Sequence, residues 1–153
     1  MDTRFSSALH ILILVSEAET PMTSEEIAKS VGTNASYIRK IAGLLKKQGI
    51  IKSSQGISGF RLVVPSDKLT LQMIYSAVYE SKDVHIFDIH QNPNDECIVG
   101  KHIKPVLENE FSGLESMIAN ALSDRTLKDI IDDMRERSTK QGGKRKLKRK
   151  NDY

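Results

Sequence analysis

The chain has no tryptophan and a single cysteine, Cys97. One cysteine excludes an internal disulfide framework and suits a reducing compartment. No apolar run is long enough to cross a bilayer: Ala8 to Val15 is too short and is interrupted by His10, and no cleavable signal pattern is present. A cytoplasmic protein with no membrane partner is therefore expected. Aromatic residues make up only 5% and hydrophobic residues 39% of 153 positions, which is enough for one small core with appendages. The residue patterns of an enzyme are missing as well. There is no nucleophile–base pair, no phosphate-cradling glycine loop and no dense set of metal ligands, so the chain reads as a non-enzyme.

Charge of either sign is plentiful but segregated. Residues 1–64 hold eight Lys/Arg against five Asp/Glu, residues 65–139 eight against fourteen, and residues 140–153 seven against one. Basic charge thus sits at the two ends of an acidic middle, as expected when one part of a chain touches phosphate and another does not.

The stretch from Met22 to Val64 organises the rest. Thr23 and Glu26 have capping-box spacing, with Met22 and Ile27 placed as a hydrophobic staple. Gly32 can end that helix in a left-handed conformation, and Thr33 or Asn34 can cap the next. In the second helix Ala35, Ile38, Ala42 and Leu45 recur at spacings of three and four, leaving Ser36, Tyr37, Arg39, Lys40, Lys46 and Lys47 on the other side, and Gly49 as the stop. Gly43 in mid-helix implies close approach by another element. Ile50–Ser53 and Phe60–Val64 read as strands joined by Ser54–Gly59, a hairpin turned by two glycines. Helix, turn, helix and hairpin in that order make a winged helix-turn-helix. The N-terminal half of a recognition helix meets base edges, so Ser36, Tyr37 and Lys40, with Asn34 and Arg39, are the candidates for base contact. Lys52, Arg61 and the backbone of Gly56 to Gly59 are candidates for phosphate or minor groove. Lys46 and Lys47 either complement the helix dipole or touch DNA.

Around this unit, residues 3 to 17 form a first helix that is apolar nearly all round, in which His10 reads as a packed histidine bonded to a backbone carbonyl. Thr70 caps a helix over LQMIYSAVYE. Val84–Ile89 is either a short strand or an extended packing segment, and Asn92–Asp95 has turn chemistry. The longest helix runs from about Ile98 to Leu122, with Pro105 arguing for a kink or for a regular start only near His102. Its stripe of Ile103, Leu107, Phe111, Leu114, Ile118 and Leu122 is more apolar surface than one subunit readily covers, and pairing with a second copy is the economical solution. Thr126 caps a last short helix with Leu127, Ile130, Ile131 and Met134 turned inward. Residues 140–153 are a basic tail containing a Gly-Gly hinge. They can serve as a phosphate-binding arm, a solvated terminus or an RNA-binding segment.

The segment SYIRKIAGLLKKQGIIKSSQGISGFRLVVP, with RFSSALHILILV upstream and NPNDECIVGKHIKPVL downstream, resembles the Rrf-two (Rrf2) family of bacterial winged-helix regulators over residues 3 to 134. The resemblance implies a homodimer on a palindromic double-stranded DNA operator, usually as a repressor. It places a Ser-Tyr-x-x-Lys stretch where Ser36, Tyr37 and Lys40 stand. Many members sense redox or iron–sulfur status through three cysteines, each pair separated by five residues. The corresponding positions here are Gln91, Cys97 and Ile103, so no iron–sulfur cofactor is expected on that ligand set. His90, Asp88 and His102 near Cys97 match no zinc spacing. Two readings of Cys97 stay open. It is a redox-sensing thiolate favoured by a helix start, or an inert relic.

The expectation is a mostly α protein with a small β-hairpin wing. Residues 1–80 form the winged helix-turn-helix, 81–139 a sensor loop with dimerisation helices, and 140–153 a basic tail. Its function is that of a DNA-binding transcriptional regulator. The alternative is a winged-helix adaptor or RNA-associated protein that binds no operator.

Overall fold

The computed structural model describes residues 2–140. Apart from residue 140 itself, the basic tail lies outside them. Six helices and one hairpin follow in the order α1 (Arg4–Glu17), α2 (Ser24–Val31), α3 (Ala35–Lys47), β1 (Ile51–Ser54), β2 (Ile57–Leu62), α4 (Leu71–Tyr79), α5 (Ile98–Ser123) and α6 (Leu127–Lys140).

The first helix is the hub, as its all-round apolar character requires. Ala8, Ile11, Leu12, Leu14 and Val15 are buried against α2, α3, α4, α6 and β2. His10 is half-buried within it, but Nε2 meets the Ser30 hydroxyl at 3.0 Å, not the backbone carbonyl expected. Burial holds this imidazole below the usual histidine range.

The capping box forms as its spacing demands. Glu26 N–H donates to Thr23 Oγ1 at 3.2 Å and Thr23 N–H to Glu26 Oε2 at 2.8 Å, while Met22 and Ile27 close the staple at 1% and 0% exposure. Gly32 ends α2 at φ 77°, and Asn34 caps α3 by accepting the Tyr37 N–H at 2.8 Å. The inward face of α3 is Ile38, Ile41, Ala42 and Leu45. Ala35 of the expected stripe is only half-buried, and Ile41 was not expected in it. Gly43 is also corrected: a Cβ built there meets nothing within 4 Å, so no element among the described residues approaches it.

The hairpin turns more tightly than its composition implies. Only Gln55 and Gly56 lie between the strands, with the register Ile51↔Leu62, Lys52↔Arg61 and Ser53↔Phe60, and an irregularity between Ser53 and Ser54. Gly59 therefore lies inside β2. Its other edge is paired as well, with Phe60 N–H donating to Met22 O at 2.8 Å and Met22 N–H to Phe60 O at 3.3 Å.

After α4, the 84–89 segment is extended but joins no sheet. Its amides at Ile86 and Phe87 instead donate to Glu115 Oε1 of α5 at 2.6 and 3.0 Å, and Phe87 packs on Phe111. Helix α5 begins directly after Cys97 and continues through Pro105. None of its 26 residues is buried. The chain then returns to the core: Leu71 N–H donates to Arg125 O and Leu127 N–H to Leu69 O, at 2.9 and 2.8 Å, seating α6 on Leu127 and Ile131. At 14 residues α6 is longer than the short helix expected, and Arg135 ties it to Glu17 of α1 at 2.6 Å. No helix among the described residues is long and apolar enough to cross a membrane.

Candidate nucleic-acid interface

Helix α3 buries one face so completely that the opposite face is left to solvent. On it Ser36, Arg39 and Lys40 are exposed. Their engagements differ. Lys40 makes no ion pair among the described residues, and Ser36 donates to no partner there. Arg39 is tied to the Glu25 carboxylate of α2, so it must break an exposed pair, weakened by solvent screening, before it reaches a phosphate or base. Two other candidates are turned to structural work. Asn34 uses Oδ1 in the α3 cap, and Tyr37 is half-buried with its hydroxyl donating toward Ser7 Oγ of α1 at 3.5 Å. The free polar row on the recognition helix is thus Ser36 and Lys40, with Arg39 beside it.

The two lysines at the end of α3 are occupied. Lys46 donates to Ser53 Oγ of β1 at 2.8 Å, and Lys47 pairs with Glu80 after α4 at 2.6 Å. They fasten the recognition helix to the wing and to α4.

On the wing, Lys52 and Arg61 sit directly opposite each other across the ladder, both exposed and neither ion-paired among the described residues. Like charges in that position repel unless an anion lies between them, which suits a sugar–phosphate backbone. Gly56 makes the turn at φ 77° with open space around it. Gly59 does different work from the one its composition suggests. At φ 117°, a Cβ there would lie 2.8 Å from Pro21 C and 2.9 Å from Met22 C and N. It lets β2 press on the strand-like entry to α2 and is not part of the wing tip. The sequence offered no local signal for this contact.

Cys97 is exposed at the N-terminus of α5. The backbone N–H groups of Gly100 and Val99 at the start of α5 hold the thiol below the usual cysteine range. The turn before it closes tightly on α5, since a Cβ on Gly100 would meet Asn94 O at 1.9 Å. The neighbouring donors do not converge. His85 Nε2 bonds Asp88 Oδ1 at 3.0 Å, and no group of three or more His, Cys, Asp or Glu among the described residues is placed to hold a metal. One thiolate with no second sulfur ligand does not fit an iron–sulfur cluster.

The stripe expected to pair with a second copy is only partly free. Ile103, Leu107, Phe111, Ile118 and Leu122 are half-buried by their own chain, and Leu114 is 45% exposed. The face left open is carried instead by Val99, Val106 and Met117, exposed at 63%, 55% and 68%.

Comparison with known proteins agrees with this geometry. The sequence model of the Rrf2 family, described as an iron-dependent transcriptional regulator, matches residues 1–133. YwnA of Bacillus subtilis (strain 168), named as an HTH-type transcriptional regulator, is 36% identical over 131 residues, which is 86% of this chain and 96% of YwnA. A crystal structure described as that of a DNA binding protein is 34% identical with a TM-score of 0.69, over 84% of this chain and 98% of that one. CymR, described as the global cysteine regulator of B. subtilis, shares the fold at a TM-score of 0.65 and 18% identity, over 86% of this chain and 95% of CymR.

Proposed function

The chain belongs to the Rrf2 family of transcriptional regulators, and from that premise we propose that it acts in the cytoplasm as a homodimeric repressor on a palindromic operator. The observation that carries this reading is the unpaired Lys40 beside Ser36 on the outward face of α3, followed by the opposed Lys52 and Arg61 on the wing. Lys40 and Ser36 meet base edges in the major groove, and the wing cations neutralise phosphate beside it.

Pairing is supported by α5, whose exposed Val99, Val106 and Met117 form an apolar row on a helix with no buried residue. A two-fold pair presents two copies of α3 to half-sites about one helical turn, ~10 bp, apart, and the operator mirrors that symmetry.

The signal is read at Cys97, without an iron–sulfur cluster on the family's three-cysteine pattern. The Cys97 thiolate, favoured by the start of α5, attacks the distal oxygen of a peroxide. Sulfur gains that oxygen as sulfenic acid and the other oxygen leaves as hydroxide, which takes up a proton as water. Cys97 is the N-cap residue of α5, so oxidation acts directly on the pairing helix.

Selection of bound fragments from genomic DNA, followed by footprinting and sedimentation, tests the reading. The expected result is a symmetric footprint protected by a dimer and lost on peroxide treatment. A monomer that protects no fragment refutes it, and retention of an RNA or protein partner without any protected duplex favours an adaptor role.

A further inference from the structure

The wing ends in an isoleucine that the core does not use. Ile57 follows Gly56 directly, opens β2 opposite Ser54, and is 54% exposed. Everything around it at that end of the hairpin is small or polar: Ser53, Ser54, Gln55, Gly56 and Ser58. This branched apolar side chain at the tip of a slender hairpin is not packed on the core, and more than half of it faces solvent among the described residues.

The surroundings say what kind of surface it meets. Four residues along β2, about 13 Å in extended chain, lies Arg61, with Lys52 directly across from it and no acidic partner for either among the described residues. An apolar protein partner would leave these two cations desolvated and unpaired. A duplex supplies both needs at once, with phosphates along the groove edge for the cations and apolar sugar-lined walls for the tip. Resting on the DNA-binding reading above, we propose that Ile57 is a specificity-determining residue that enters the minor groove and selects against base pairs bearing an amino group there.

The selection follows from groove chemistry. A·T and T·A pairs show only acceptors on the minor-groove floor, whereas G·C adds the guanine N2 amino group. That group stands up into the groove, blocks the methyls of Ile57, and loses its water to a side chain that cannot accept a hydrogen bond. The recognition helix, reading the opposite groove, does not touch that amino group. The wing therefore adds a preference at positions that α3 does not touch, outside its major-groove contacts.

The test uses the full chain and a duplex selected from a randomised pool. Adenine is replaced one position at a time by 2,6-diaminopurine, which adds the minor-groove amino group and leaves the major-groove edge of the pair intact. Wild type is expected to lose about tenfold in affinity at one step in each half-site, and Ile57→Ser to lose less than twofold at the same step. Because Ile57 is exposed, the variant leaves the core intact. A wild type indifferent to every replacement, or an Ile57→Ser variant with the full penalty, overturns the proposal. A protein that retains no duplex from the pool refutes the DNA-binding reading itself, a result distinct from either.

Discussion

Replacing Gly59 with alanine tests whether the wing is held in place by a backbone contact rather than by its own turn. The new Cβ would lie 2.8 Å from Pro21 C and 2.9 Å from two atoms of Met22, at φ 117°. The dihedral alone costs about 1–3 kcal/mol for a residue with a side chain. Forcing three backbone atoms apart adds about 1–3 kcal/mol, because neither Pro21 nor Met22 can rotate out of the way. Gly56→Ala is the control: its φ of 77° is also positive, but nothing lies within 4 Å. It should cost about 1 kcal/mol, the penalty of the left-handed region alone. Urea denaturation followed by circular dichroism should therefore separate the two variants by about 1–5 kcal/mol, and melting should separate them by about 2–20 °C for a chain of this size. The Phe60 amide, bonded to Met22 O at 2.8 Å, should lose hydrogen-exchange protection in Gly59→Ala and keep it in Gly56→Ala. If the two variants unfold within about 0.5 kcal/mol of each other, the β2–Met22 contact does not anchor the wing.

Three further outcomes are expected. Lys40→Ala should weaken operator binding by about 1–3 kcal/mol and change non-specific binding much less, in paired titrations on operator and scrambled duplex; equal losses would place the recognition face elsewhere. Val106→Glu with Met117→Glu should give a folded monomer in sedimentation, since both side chains are exposed in the single chain, whereas a persistent dimer would put the interface off that face. The third concerns His85, whose pKa is raised by its hydrogen bond to Asp88 and by the Glu115 carboxylate. A raised folded pKa means the bridge contributes most below the unfolded value of about 6.5 and is lost as pH climbs through the folded one. The urea-midpoint difference between wild type and His85→Gln should accordingly be larger at pH 5.5 than at pH 8.5. A difference that is flat or grows with pH contradicts the bridge.

Much of the reader was legible because its signals are local. A capping box, a left-handed glycine and apolar residues three and four apart each act within one or two turns, so Thr23, Glu26, Gly32, Ile38, Ala42 and Leu45 stand where their pattern put them. The misses are contacts between distant segments. Gly59 looked like turn material because nothing near it in sequence reveals Pro21 and Met22 on its far side. Tyr37 suited base contact by position, yet Ser7 of α1 takes its hydroxyl, whereas the cap at Asn34 is local and was one of the roles its position offered. Helix α5 was read correctly in extent, but its outward row was rotated. Phe111 packs on Phe87 and Glu115 takes the Ile86 and Phe87 amides, so the 84–89 segment covers part of the stripe that periodicity alone assigned to a partner.

The two backbone bonds joining Leu71 to Arg125 and Leu69 to Leu127 make everything from α4 through α5 a loop pinched shut at its neck. A detour closed at its base can lengthen or shorten with little entropic consequence for the rest, since closure depends only weakly on contour. Descendants of such a chain are free to remodel the signal-reading excursion while the DNA reader inherits the same fixed doorway, and among the described residues strain generated out on the excursion reaches the reader through that neck, through the packing of α4 on α1 and α3, and through the Lys47–Glu80 pair.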